Sequence, residues 1–116
     1  MTKSPIEISR QFLAGQESGL EDLRVYQFED DEEAHDDSAI DRLYAEFISD
    51  FERARSELSA TYGEPSKTGT DDDEVIPLCG VFLFATWEIE ERLLYLAVAH
   101  EDRGCPILLM LGTVTR

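Results

Sequence analysis

Between Ser38 and Tyr62 the apolar residues Ile40, Leu43, Tyr44, Phe47, Ile48, Phe51, Leu58 and Tyr62 recur at steps of three and four, with Ala54 in the gap. A stripe of that period belongs to an amphipathic helix of about six or seven turns, which must lie along a hydrophobic surface. Asp37 or Ser38 supplies the N-cap, and acids early in the segment suit the positive end of the helix dipole. Gly63 and Pro65 then follow in the order that stops a helix.

The rest of the chain arranges itself around that helix. Ser4-Pro5-Ile6-Glu7 reads as a capping box with proline at the first helical position, opening a short amphipathic helix from about Pro5 to Ala14 that Gly15 ends. Leu23 and Val25 alternate with Arg24 and Tyr26, so Leu20 to Phe28 is a short strand or an extended loop. Ser66 to Glu74 is a polar loop. After it the period changes: Val81 to Ile89, Leu93 to His100 and Pro106 to Gly112 are apolar runs, the last extendable through Thr113-Val114-Thr115. Glu90-Glu91 and Asp102-Arg103-Gly104 make tight connections between them, which predicts an antiparallel meander. The expected fold is α+β: a short N-terminal helix and one long amphipathic helix packed on a meander sheet of three to four strands. The 116 residues suit a single domain, 1–116, with acidic loops at about 29–37 and 66–74 and no internal repeat.

The strands barely alternate. Phe82 and Phe84 oppose Val81, Leu83, Ala85 and Trp87, while Leu94, Leu96 and Val98 oppose Leu93, Tyr95, Ala97 and Ala99, so both sheet faces need cover. The long helix covers one. The other calls for the N-terminal helix, a second copy of the chain in a homodimer, or a partner. Trp87 is either a core anchor or an exposed binding hot spot.

Charge narrows the function. Ten Lys and Arg against 26 Asp and Glu leave -16, and 42% hydrophobic residues are enough for a core. Such a chain lacks the clustered bases that hold nucleic-acid phosphates or anionic lipid, so neither nucleic acid nor membrane is expected as a partner. Residues 17–37 carry -9 and residues 71–74 carry -4, whereas the long helix is nearly balanced. Glu29, Asp30, Asp31, Glu32, Glu33, Asp36 and Asp37 crowd a segment with almost nothing apolar, expected to be a solvated loop that buries nothing. Together with Asp71, Asp72, Asp73 and Glu74 they are the candidate partner-binding residues, suited to a basic protein.

Motifs for chemistry are scarce. His100-Glu101-Asp102 with Cys105 lacks the ligand number and spacing of a zinc site, and Gly104 stands where an HExxH motif needs its second histidine. The run from Asp30 has no glycine at the sixth position of an EF-hand loop. No nucleophile elbow or phosphate-cradling glycine loop occurs, and His35 reads as a solvated histidine within the acids. The expectation is a non-enzyme with no cofactor and no metal. The N-terminus lacks the apolar core of a secretory signal. The longest uncharged run, the thirteen residues Val75 to Trp87, is too short to span a bilayer. Two cysteines, Cys79 and Cys105, suit reduced thiols, and a cytoplasmic location is expected.

From Tyr44 to Gly112, about the last two thirds of the chain, the plan is a helix ending in Tyr62-Gly63-Glu64-Pro65, a variable acidic loop, a strand carrying Trp87 and two further apolar strands. This resembles small acidic bacterial immunity proteins of polymorphic-toxin and contact-dependent competition systems. The resemblance implies a protein that neutralises a cognate toxin by binding it. Two other classes stay open: a small enzyme or ligand-binding domain with a pocket between sheet and helix, and a dimeric accessory domain whose acidity only confers solubility.

Overall fold

A computed structural model describes residues 4–15 and 18–115. Its elements in chain order are α1 (Pro5–Ala14), β1 (Gly19–Tyr26), α2 (Asp31–Ala34), α3 (Asp37–Tyr62), β2 (Lys67–Gly69), β3 (Val81–Ile89), β4 (Arg92–Ala99) and β5 (Ile107–Thr115). The strands form one antiparallel sheet in the order β1-β5-β4-β3-β2. The fold is α+β, with β3, β4 and β5 as the central meander.

Five strands replace the expected three to four because both edges gain one. Gly19–Tyr26 is a strand in full, laid along β5 from Gly19 opposite Thr113 to Tyr26 opposite Ile107. Within the expected polar loop at 66–74, Lys67, Thr68 and Gly69 pair with Thr86, Ala85 and Phe84. Backbone hydrogen bonds make β2, and an edge strand held that way needs no apolar pattern of its own. Gly69 leaves room for the Phe84 ring, from which a Cβ there would lie 2.5 Å unless the ring shifted.

The long helix follows its stripe. Ile40, Leu43, Phe47, Phe51, Ala54 and Leu58 are buried, whereas Ile48 faces outward. Its cap is Asp36, not the expected Asp37 or Ser38, because the Asp36 carboxylate accepts from the N–H groups of both Ser38 and Ala39. Gly63 closes the far end at φ 91°, its N–H donating to the Ser59 carbonyl. The α1 helix is opened by Ser4, which accepts from Glu7 N–H, and by Pro5 at the first turn.

Both helices lie on the same side of the sheet. Ile6, Ile8 and Phe12 of α1 pack on the core that α3 makes with Leu23, Ala85, Trp87, Leu94, Leu96, Val98, Ile107, Leu109 and Leu111. Ser9 of α1 is buried, its Oγ 2.7 Å from the Tyr62 hydroxyl at the end of α3. The N-terminal helix therefore does not cover the second face. The segment between β2 and β3 does so instead, over β3 and β4: Ile76 and Leu78 pack against Val81, Phe84, Tyr95, Ala97 and Ala99. A register shift between Val81 and Leu83 also changes the expected facing of β3. Val81 joins the outer cluster, while Phe82 turns to the helix side and stacks on Tyr44 with ring centroids 4.6 Å apart.

Candidate functional site

The acidic segment 29–37 sits at the end of the sheet where β1 and β4 finish and β3 and β5 begin. It is not the solvated loop expected from its composition. Phe28 is buried, edge-on to Tyr26 at 5.4 Å and 5.6 Å from the His100 ring, and Ala34 is only 1% exposed. Between them the acids build their own structure. Asp30 caps α2 by accepting from Glu33 N–H at 2.8 Å. Glu33 reaches back to accept from Glu29 N–H at 3.0 Å and from the Tyr26 hydroxyl at 2.9 Å. Side chain to backbone in both directions, this is the capping-box principle applied to a single turn. The hydrogen bond to Glu33 raises the Tyr26 pKa above its ordinary value, with burial adding to it.

The seven acids thus divide by role. Asp30, Glu33 and Asp36 hold caps, and Asp37 pairs with Arg103 of the β4–β5 turn at 2.9 Å. Glu29, Asp31 and Glu32 are exposed, and no described bond engages their carboxylates. An open cleft of about 400 Å³ lies beside them, lined by Asp30, Glu32, Glu33, Asp36 and the base Arg42. Arg24 of β1 is directed to α3. Its guanidinium lies 4.5 Å over the Phe47 ring and bonds Asp50 at 2.8 Å and Glu46 at 3.3 Å on α3.

The second cluster lies elsewhere, on the sheet face away from the helices. Asp72 accepts from Val81 N–H at 2.8 Å, and Asp71 from Asp72 N–H at 2.9 Å. Asp73 accepts from Val75 N–H and is paired with Lys67. Glu74 is exposed beside Val75. No described contact joins residues 71–74 to residues 29–37, so the structure does not merge them into one patch.

Most of this second cluster anchors the covering segment. The Lys67 ammonium, and after it the Val75 N–H, hold the Asp73 carboxyl below the usual carboxylate range. A depressed folded-state pKa contributes stability above the unfolded value, and that stability is lost as pH falls through the folded one. The Asp73→Asn variant is therefore expected to melt earlier than wild type at neutral pH. The gap should close as pH drops below about 4. Thermal melts across that range check it, and a gap that persists in strong acid contradicts it.

One arrangement had no local signal in the sequence. Tyr44 of α3 and His100 after β4, 56 residues apart, meet with Oη 2.6 Å from Nδ1. They line a cleft of about 420 Å³ with Asp41, Asp102 and Arg103. Burial raises the Tyr44 pKa, so the phenol holds its proton at neutral pH and is not an activated base. The other ring nitrogen of His100 is buried without a hydrogen-bond partner. The pair ties the β4–β5 turn to α3 beside the acidic segment.

Compared with known proteins, the chain matches no family model, no curated protein and no solved structure. Among the described residues no three His, Cys, Asp or Glu side chains converge as metal ligands, and no helix is long and apolar enough to cross a membrane. Cys79 is exposed and Cys105 half-buried, both as free thiols.

Proposed function

We propose that this chain is a non-enzymatic binding protein, an immunity or inhibitor protein of the bacterial cytoplasm that neutralises a basic toxin, for example a nuclease, by occluding its active cleft. The observation that carries this reading is the division of labour at 29–37. Asp30, Glu33 and Asp36 fix the backbone, and Glu29, Asp31 and Glu32 project from that fixed backbone into solvent. A backbone already fixed spares the part of the binding cost that ordering a loop would add. Concentrated at one end of a -16 chain, they also speed encounter with a basic surface. A cleft built of Lys and Arg to hold phosphates is the surface such an array fits.

The stoichiometry of protection tests the claim. Titrated against the proposed basic toxin, the chain should abolish that protein's activity at one equivalent. Protection by a small fraction of an equivalent would point to turnover, and hence to an enzyme acting on the toxin or its product.

A further inference from the structure

The acidic turn hangs on Phe28. That residue directly precedes Glu29 and is buried, while Ala34 anchors the far end of α2. The Phe28 ring stands edge-on to Tyr26 and lies 5.6 Å from the His100 ring at an interplanar angle of 32°. Whatever fixes the His100 ring therefore fixes one wall of the space that holds Phe28.

His100 is fixed from two sides. Its backbone N–H donates to the Gly80 carbonyl at 2.9 Å, which joins it to the chain just before β3. Its Nδ1 lies 2.6 Å from the Tyr44 hydroxyl, and Tyr44 in turn stacks on Phe82. A phenylalanine at this position would meet Phe28 without burying Nε2, which has no hydrogen-bond partner among the described residues. A buried nitrogen left unpaired costs stability. What the imidazole supplies and a phenyl ring cannot is Nδ1, the atom that locks the ring to α3.

We infer that His100 is a positioning residue of the acidic binding end. Clamped by Tyr44, its ring is the surface against which Phe28 sets, and Phe28 in turn sets the pose of Glu29, Asp31 and Glu32. Neither Tyr44 nor His100 has a described bond to residues 29–33, so both act through Phe28. The inference rests on the reading of 29–37 as the surface that recruits a basic partner, and it gives that surface a support that touches no partner itself. A pose set in advance spares the cost of ordering the turn on binding.

Hydrogen exchange in the free protein reads the support, and binding of hexalysine reads its consequence. The N–H groups of Glu29, Glu33, Ala34 and His35 are all bonded within the turn. His100→Ala should speed their exchange about tenfold, while amides in the middle of α3 keep their wild-type rates. Tyr44→Phe keeps both rings and removes only the bond, so the same amides should speed by about threefold. At low salt His100→Ala should also bind hexalysine about threefold more weakly than wild type, although every carboxylate is still present. A rise of equal size throughout α3, or one confined to residues 100–106, would leave His100 with a structural role alone and overturn the inference. So would unchanged affinity for hexalysine seated at 29–37. If hexalysine shifts no amide at 29–37 of the wild type, the reading of that end as a binding surface fails. Exchange then still decides whether His100 holds the turn, so the two claims fail separately.

Discussion

Trp87→Ala is expected to cost the fold about 3–5 kcal/mol, the range for removing a large aromatic side chain from a packed interior. Trp87 is 1% exposed and sits among the side chains that face α3. Its indole N–H donates to the Gly63 carbonyl at 2.9 Å, so one residue both fills the space under the helix and fastens the turn that ends it. Domains of this size are typically stable by about 5–15 kcal/mol, so the loss would take a large share of the total. Urea unfolding checks it: the midpoint should fall sharply while the slope stays near that of wild type. Trp87→Phe separates the two contributions. It keeps most of the apolar contact and loses the hydrogen bond, and because Gly63 is exposed its carbonyl can turn to water. A cost of about 1 kcal/mol is expected, and one as large as that of alanine would mean the bond dominates.

The second large effect is kinetic. Glu29→Gln/Asp31→Asn/Glu32→Gln removes three carboxylates that carry no cap and no described ion pair, so stability should change little. The association rate with a basic partner should fall about tenfold at low salt, within the range that electrostatic steering supplies. Asp30, Glu33 and Asp36 are the wrong residues for this experiment. Their oxygens accept from the backbone of α2 and α3, and their substitution would mix lost caps with lost charge. A triple variant that melts like wild type and still binds slowly isolates the steering effect.

The sequence was legible wherever a period was long enough to leave one interpretation. The α3 stripe, the α1 capping box and the three apolar runs of the meander each met that condition and appear as read. The edge strand β2 did not, because Lys67, Thr68 and Gly69 have no pattern and are a strand only by pairing with β3. Composition concealed α2, since a run of acids offers no apolar stripe. Its signal was a spacing, Asp30 followed three residues later by Glu33. The half cover of the outer face was written in Ile76 and Leu78, between an acidic cluster and a strand, where a short uncharged run suggested nothing to pack. No local pattern brings Tyr44 to His100, and only the fold could show that contact.

These placements change what the acidity means. Of the eleven acids that looked equivalent in sequence, Asp30, Glu33, Asp36, Asp71, Asp72 and Asp73 accept backbone hydrogen bonds, and Asp37 meets Arg103. The charge most available to a partner is concentrated at Glu29, Asp31 and Glu32, with Glu74 on the opposite face.

The central claim is that these three carboxylates recruit a basic protein. Its most direct test is the association rate of the wild-type chain with the proposed basic toxin, measured by stopped flow as salt is raised and repeated with the triple variant. The account predicts a wild-type rate that falls steeply with salt, a variant that starts slower, and two curves that converge once the charges are screened. Rates independent of salt and equal for the two proteins would contradict it.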